Sequence, residues 1–191
     1  MLKKLCLTIV SFSCLLLTGC LTTSSLTAMS SWEGRFSVIA QSANHKENHS
    51  GRFSLTTTND ATQVLDLKTA LGNTLARIEY AHDSISVQAV GIEETVGKDS
   101  NALMSDLLGF SVPIDGLTFW IDGQVLPNTV YESEPNTAPY QHIRQLGWDI
   151  TYRQYDDSGL PRRIVFERKA TTSSPALKIT LIILERRHGT P

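Results

Sequence analysis

Few residues of this 191-residue sequence have the types and spacing that covalent, metal or phosphate chemistry requires. His45 and His49 are four residues apart, as two metal ligands on a helix would be, but they lie between two strand-like segments and favour a solvated hairpin loop. The stretch from Gly91 to Gly97 differs from a phosphate-binding loop in its glycine spacing, and Asp99 stands where a magnesium-binding hydroxyl residue is needed. No Gly-x-Ser-x-Gly motif occurs, and no carboxylate pair stands out. The sequence therefore predicts no catalytic residue, no metal site and no cofactor.

The cysteines carry the strongest chemical indication. They are Cys6, Cys14 and Cys20. Residues 1–19 contain two early lysines, a short apolar run and small residues at the end, which is typical of a secretory signal peptide rather than of a membrane-spanning helix. Leu-Thr-Gly-Cys at residues 17–20 resembles a bacterial lipobox, in which the cysteine thiol receives a diacylglyceryl group, the peptide is cleaved before it and the new amine is acylated. We therefore predict removal of residues 1–19 and lipidation of Cys20.

Lipidation at Cys20 restricts both the chemistry and the location of the mature protein. It would leave no free thiol, which excludes a disulfide, a cysteine nucleophile and a cysteine zinc site. Three acyl chains anchor a protein far more firmly than the marginal binding that one chain provides. The resemblance to bacterial lipoproteins implies that an aspartate directly after the cysteine favours the inner membrane, and here that position is Leu21. We therefore predict an anchored protein on the periplasmic face of the outer membrane.

Composition and charge exclude further classes of function. The formal net charge of −2 becomes −4 once Lys3 and Lys4 leave with the signal peptide. A mildly acidic chain without a basic stripe is not suited to binding nucleic acid or to electrostatic attachment to anionic lipid. Residues 20–31 form the lipidated cysteine and a small, hydroxyl-rich stretch that is typical of a flexible tether. Residues 32–191 are long enough for a single domain with its own core.

Alternating apolar residues dominate the chain from Trp32 onwards and predict half-buried strands. The alternating positions are Phe36, Val38 and Ala40; Phe53 and Leu55; Ile85, Val87 and Ala89; Trp148, Ile150 and Tyr152; Ile164 and Phe166; and Leu177, Ile179, Leu181 and Ile183. Short connections rich in turn-forming residues make these strands antiparallel neighbours. Two helical segments interrupt them, one over SNALMSDLLGF and one after Pro113. The predicted fold is mainly β with inserted α, a strongly curved antiparallel sheet closed into a barrel or most of one.

A curved sheet with helices on its concave side can enclose an apolar cavity large enough for a ligand. The alternative is that the inward-facing residues simply pack together as a core. The three tryptophans do not decide between these possibilities, because a large aromatic side chain can line a cavity or fill a core. They are Trp32, Trp120 and Trp148.

An ordered set of motifs resembles the LolB family of outer-membrane lipoprotein receptors. The matching segments are LTGC, WEGRFSVIA, LDLKTALGNTLARIEY, LLGFSVPIDGLTFWIDG, QLGWDITYR and LPRRIVFE, in the order found in the family and over most of the mature chain. This resemblance implies a non-enzymatic transfer protein with an incomplete, half-open antiparallel β-barrel and helices that cover an apolar cavity. It also implies that the cavity accepts the acyl chains of other lipoproteins from the periplasmic carrier LolA and passes them to the phospholipid of the outer membrane.

The resemblance also assigns a role to an unusual turn. Leu71 lies between two alternating runs, beside Gly72, where a polar residue would be the ordinary choice. The family carries a protruding loop with an exposed leucine needed for membrane insertion, and that position matches Leu71, with Ala70 and Gly72 beside it. Full burial of a leucine stabilises by about 1.5–3 kcal/mol, which is enough for reversible contact when an acyl tether already holds the protein nearby. The alternative is that Leu71 folds back into the core.

Alternation and position in the family together select the residues expected to line the acyl cavity. They are Phe36, Val38, Phe53, Leu55, Trp120 and Trp148. Two features depart from the family: the stretch 21–31 before Trp32 is short, and Ala70 stands where a proline is common. We expect a monomer. The rival interpretations are a generic lipid-binding or lipopeptide-binding lipoprotein, a structural lipoprotein of an outer-membrane assembly machine, and an enzyme for which no residue can be nominated.

Overall fold

The computed structural model describes residues 28–82, 84–108, 111–133, 139–172 and 174–188. The predicted signal peptide and Cys20 lie outside the described residues. The elements are β1 Ala28–Gln41, β2 Lys46–Thr58, β3 Gln63–Lys68, β4 Thr74–Ala81, β5 Ser84–Ala89, β6 Ile92–Gly97, α1 Ser100–Leu108, α2 Ile114–Trp120, β7 Tyr131–Ser133, β8 His142–Gln145, β9 Trp148–Tyr155, β10 Pro161–Arg168 and β11 Ala176–His188.

The strands form one open sheet in the order β6-β5-β4-β3-β2-β1-β11-β10-β9-β8-β7. All neighbouring pairs are antiparallel. The first and last strands pair at the centre, so β6 and β7 are the two free edges and the sheet is not closed. The predicted fold class, an incomplete antiparallel barrel with two helices, is confirmed.

The first strand begins earlier than the sequence predicts. Residues 28–31 belong to β1 rather than to the tether, and the domain therefore starts before Trp32. Ser31 pairs with Thr56 of β2 and with Arg187 of β11. Backbone pairing on both sides extends the strand through small hydroxyl residues that have no apolar alternation of their own.

The assignment of His49 to a loop is also wrong, because it lies in β2, opposite Val38.

Two glycines allow the centre of the sheet to curl. A Cβ atom at Gly34 would stand 2.1 Å from the carbonyl oxygen of Ile182, and one at Gly51 would stand 2.0 Å from that of Lys68. The register of β1 against β11 also shifts between Glu33 and Gly34. Glycine in a strand interior marks a bend or a close backbone approach, and both occur at these positions.

The two helices lie where the sequence predicts them. Asp99 precedes α1, and its carboxylate Oδ1 accepts a hydrogen bond from the backbone N–H of Ala102 at 3.0 Å. Pro113 precedes α2 with φ −69°, a conformation that suits a helix start. Met104 of α1 and Leu117 of α2 are buried in the same apolar cluster as the inward faces of the strands. No helix among the described residues is long and apolar enough to span a membrane.

Candidate functional site

An apolar cavity of about 60 Å³ lies between the sheet and the two helices. Its lining residues are Phe36, Val38, Phe53, Leu65, Leu67, Ile78, Met104, Val112, Leu117, Phe166, Ile179 and Leu181. Every one of these side chains is apolar. The strands contribute through period-two alternation, which turns every second residue inward, and α1 and α2 close the space from above. Such a lining offers apolar contact and no partner for a polar group, so it suits a hydrocarbon chain.

The predicted cavity residues fall into two groups. Phe36, Val38 and Phe53 line the cavity, as predicted from alternation. Leu55, Trp120 and Trp148 do not line it, because all three are fully buried in the packed core.

Specific contacts hold the two tryptophans within that core. The indole N–H of Trp120 donates a hydrogen bond to Oε1 of Gln145 at 2.7 Å. Trp148 contacts Phe166 edge to face at 6.5 Å between ring centroids, and the Arg168 guanidinium lies 5.1 Å from the Trp148 ring centroid. The structure therefore places Trp120 and Trp148 in the packed core against the lining residue Phe166, and their contact with an acyl chain stays a prediction.

Several lining residues were missed by sequence reasoning although their patterns were visible. Ile179 and Leu181 belong to an alternating run in β11, and Ile78 alternates with Ala76 in β4. Alternation identifies the inward face of a strand but not which part of that face borders a void. Val112 lies in the short link between the helices, where no periodic pattern exists.

The cavity has to enlarge before it can hold an acyl chain. An engineered apolar cavity of about 150 Å³ accepts benzene, and the cavity here is smaller than that. The described side chains of α1 make no hydrogen bond to the sheet; Met104 is buried and Leu103 packs against the core through apolar contacts. Apolar contacts can slide without leaving polar groups unpaired, so α1 can shift without breaking a hydrogen bond of its described side chains.

Polar contacts fix α2 much more firmly. Gln145 is 2% exposed and satisfies all its hydrogen-bonding capacity there. Its Oε1 accepts hydrogen bonds from Trp120 Nε1 and from the backbone N–H of Leu126 at 2.9 Å. Its Nε2 donates to the carbonyl oxygens of Leu126 and Thr129 at 3.0 and 3.2 Å. This one side chain therefore ties the end of α2 and the following segment to β8.

A buried charge network fixes the end of α2 to the centre of the sheet. The Arg186 guanidinium donates to Asp122 Oδ1 at 3.1 Å, to Asp156 Oδ2 at 2.9 Å and to the Ile121 carbonyl oxygen at 3.0 Å, and it also contacts the Pro161 carbonyl oxygen. The indole N–H of Trp32 donates to the same Asp122 Oδ1 at 2.8 Å. Such charge-assisted bonds are about twice as strong as neutral ones.

No titratable side chain of the described residues lines the apolar cavity. Burial alone would raise the pKa of Asp149, but hydrogen bonds from His142 and Arg144 lower that pKa overall. Glu47 lies between His45 and His49, and the hydrogen bonds from His45 first and then from His49 lower its pKa. Both groups are at the surface, away from the apolar cavity. Within the described ranges no three His, Cys, Asp or Glu side chains are placed to hold a metal ion.

The turn at Leu71 projects into solvent. The Leu71 side chain is 91% exposed, so the alternative that it folds back into the core is wrong. The backbone N–H of Thr69 donates to the Asn73 carbonyl oxygen at 2.8 Å, and the Asn73 N–H donates to Thr69 Oγ1 at 3.1 Å. Gly72 has φ +95°, a conformation that glycine adopts without strain. These bonds hold the turn in place although Ala70 replaces the proline common in the family.

Comparison with known proteins gives a consistent result. The family model described as "Outer membrane lipoprotein LolB" matches residues 30–185. Similar proteins named outer-membrane lipoprotein LolB include one from Cupriavidus metallidurans, 28% identical over 61% of this chain and 62% of that protein, and one from Marinomonas sp., 27% identical over 74% and 80%. A third, from Francisella tularensis subsp. tularensis, is 33% identical over 54% of each chain. The alignment thus spans a little under two thirds of the Cupriavidus protein.

One solved structure also overlaps with this fold. A LolA superfamily protein from Nitrosomonas europaea covers 85% of this chain with 88% of its own, at 11% identity and a TM-score of 0.46. That overlap is too loose to carry an argument about function. The family match is sufficient to assign the family, because the family model covers most of the chain and the similar proteins carry the same name. The chain belongs to the LolB family of outer-membrane lipoproteins.

Proposed function

We propose that this protein accepts lipoproteins from the periplasmic carrier LolA, holds their acyl chains in the apolar cavity and inserts them into the inner leaflet of the outer membrane. The observation that carries the proposal is the entirely apolar cavity beneath α1 and α2 in a chain of the LolB family. The protein acts as a monomer, and its contacts with the cargo are acyl contacts.

Transfer of this kind requires no covalent chemistry. An acyl chain gains little free energy when it moves between two comparably apolar environments, so direction has to come from differences in affinity. The receptor binds acyl chains more tightly than the carrier does, and the bilayer is the final sink. A cavity that opens by displacement of α1 suits this role because opening and closing break no buried hydrogen bond among the described side chains of that helix.

Substitution of a cavity residue should test the cargo site directly. Val38 lines the cavity, whereas its neighbour Ile39 is half-buried on the opposite face of β1. Val38→Trp would fill the space, so an entering acyl chain would overpack the cavity at a cost of about 1–3 kcal/mol. We expect the uptake of a labelled lipoprotein from the loaded carrier to fall at least about tenfold, because each 1.4 kcal/mol of binding energy is a factor of ten.

Ile39→Trp is the matched control, since it adds the same side chain to the other face. It should leave cargo uptake within about twofold of wild type, a small free-energy change. Thermal unfolding of both variants would show that each is folded. Equal uptake by Val38→Trp and wild type would mean that the cargo does not bind in this cavity.

The membrane anchor is placed in this proposal at Cys20. Residues 20–27 separate it from β1, and a chain of eight residues spans at most about 29 Å. Lys68 precedes the Leu71 turn and pairs with Arg52 of β2. Arg52 in turn pairs with Arg35 of β1. The stretch of β1 from Ala28 to Arg35 is about 23 Å long, and this is the distance along the strands between Ala28 and the start of that turn. Anchor and Leu71 reach the same bilayer only when the tether is almost fully extended.

Shortening the tether should therefore uncouple uptake from delivery. Deletion of residues 22–25 reduces the maximum reach to about 14 Å. We expect the lipidated variant to take cargo normally and to deliver it several-fold more slowly. Replacement of the same four residues by Gly-Ser-Gly-Ser keeps the length and should keep the delivery rate. If the deletion delivers as fast as this replacement, the anchor and Leu71 need not contact one bilayer together.

A further inference from the structure

The two ends of the sheet differ in the residues that their connections carry. Alternate connections of an antiparallel sheet fall at opposite ends. We call one of them the Leu71 end; its described connections are 42–45, 69–73, 90–91, 146–147 and 169–172. The opposite end carries the connections 59–62, 98–99 and 156–160, the described residues 82 and 139–141 of two further connections, and Ala28. The anchor thus joins the domain at the end opposite Leu71.

Three turns at the Leu71 end share one unusual pattern. Each places an exposed apolar residue directly before a glycine with positive φ: Leu71-Gly72, Val90-Gly91 and Leu146-Gly147. A Cβ atom at any of these glycines would have no neighbour within 4 Å, so the turns project freely. Val90 lies 73% exposed beside the Leu71 hairpin, because its backbone N–H donates to the Leu75 carbonyl oxygen at 3.0 Å.

The residue types at these turns oppose local preference. Leu146 and Gly147 have φ +52° and +76°, the backbone of a two-residue hairpin turn that ordinarily carries Asn-Gly or Asp-Gly. The left-handed conformation is unfavourable for leucine, and burial does not compensate, since Leu146 is 48% exposed. Neither backbone preference nor full burial favours leucine at this position. Such conflicts between local preference and structure are expected at functional sites.

The two ends of the sheet also differ in the charged residues that their connections carry. The five described connections of the Leu71 end contain no aspartate or glutamate, and 169–172 begins with Lys169. Three connections of the opposite end contain an aspartate, namely Asp60, Asp99 and Asp156 with Asp157. Convex apolar tips in connections that contain no carboxylate fit a deformable apolar layer beneath anionic headgroups, whereas connections with aspartate are repelled by it.

We propose that the whole Leu71 end is a membrane-contacting surface, in which Val90 and Leu146 enter the phospholipid bilayer together with Leu71. This inference rests on the proposed delivery of cargo to a membrane. Three tips spaced along the rolled sheet orient the molecule on the bilayer, which a single leucine cannot do. The lipid is recognised through its apolar layer and interface rather than through a built headgroup pocket.

The chain offers matched controls for this surface. Val96 lies on the same β5–β6 hairpin as Val90 but towards the opposite end, and it is 66% exposed. Leu184 of β11 is the control for Leu146, because it is also a leucine and is exposed to a similar extent, 54%. With Cys20→Ala the mature chain contains no cysteine, so single cysteines can be introduced and labelled with an environment-sensitive fluorophore.

The experiment uses the mature chain with Cys20→Ala and vesicles of phosphatidylethanolamine and phosphatidylglycerol. Fluorophores at positions 71, 90 and 146 should shift to the blue when vesicles are added, and those at 96 and 184 should not. Val90→Asp and Leu146→Asp should each weaken vesicle binding about tenfold, whereas Val96→Asp and Leu184→Asp should stay within about twofold of the parent.

Two results would overturn the proposal. A response confined to position 71 would reduce the contact to one leucine, and equal responses at positions 90 and 96 would mean that the Leu71 end has no preference for lipid. Both results leave the proposed function intact, since cargo uptake from the carrier is measured separately and without vesicles. Failure of that uptake in the parent protein would instead contradict the proposed function.

Discussion

Leu71→Glu is expected to leave cargo uptake unchanged and to stop delivery to membranes. Leu71 does not line the apolar cavity, so its replacement cannot alter the acyl contacts. The side chain is almost fully exposed, so a charge there has little effect on stability. In contact with a bilayer the variant loses about 1.5–3 kcal/mol of leucine burial and adds the cost of a carboxylate in an apolar layer. The expected loss in delivery rate is therefore at least about tenfold.

The measurement follows a labelled lipoprotein from the carrier to the protein and then to liposomes. Leu184→Glu is the control, because it places the same charge on an exposed leucine away from the Leu71 turn, and it should deliver at the wild-type rate. Retention of cargo on the Leu71 variant would separate the receptor step from the insertion step. A variant that delivers normally would show that Leu71 has no part in insertion.

Arg186→Met should lower the free energy of unfolding by about 3–5 kcal/mol, the usual result of removing one partner from a buried ion pair. The Arg186 side chain is 9% exposed, and Asp122 beside it is 13% exposed. Without the guanidinium, the carboxylates of Asp122 and Asp156 and the carbonyl oxygen of Ile121 each lose a donor, and Asp122 keeps the hydrogen bond from the Trp32 indole N–H. The end of α2 would lose its attachment to β11 as well.

Arg187→Met is the matched control on the adjacent residue. Arg187 is 66% exposed and pairs with Glu185 at 2.6 Å, and an exposed pair of this kind contributes about 0–1 kcal/mol. Urea unfolding of both variants gives the comparison, with the slope m checked for a change in the denatured state. If the two variants lose the same stability, the buried network does not fix α2.

Period-two alternation made much of the fold predictable. It identified the inward faces at Phe36, Val38 and Phe53, because every second residue of a strand faces the same side. It cannot distinguish residues that border a void, such as Phe53, from residues packed behind it, such as Trp148. That distinction depends on how closely α2 approaches β8, and Gln145, a polar residue in a strand, gives no local indication of such an approach.

Turns at which residue type and backbone disagree were informative in a different way. Leu71 stood out because an apolar residue is unusual beside Gly72. Val90 and Leu146 carry the same pattern, yet sequence alone did not single them out, because the positive φ of Leu146 and the shared end of the three turns exist only in the folded sheet. The start of β1 at Ala28 was likewise not predictable from the local sequence, because pairing with β2 and β11 determines it.

The handover of cargo tests the central claim most directly. LolA loaded with a labelled lipoprotein would be mixed with the mature chain carrying Cys20→Ala, and the two proteins would then be separated. The account predicts that most of the label moves to this protein without added energy, and that Val38→Trp prevents the transfer. Label that stays on the carrier in the presence of folded wild-type protein would contradict the account.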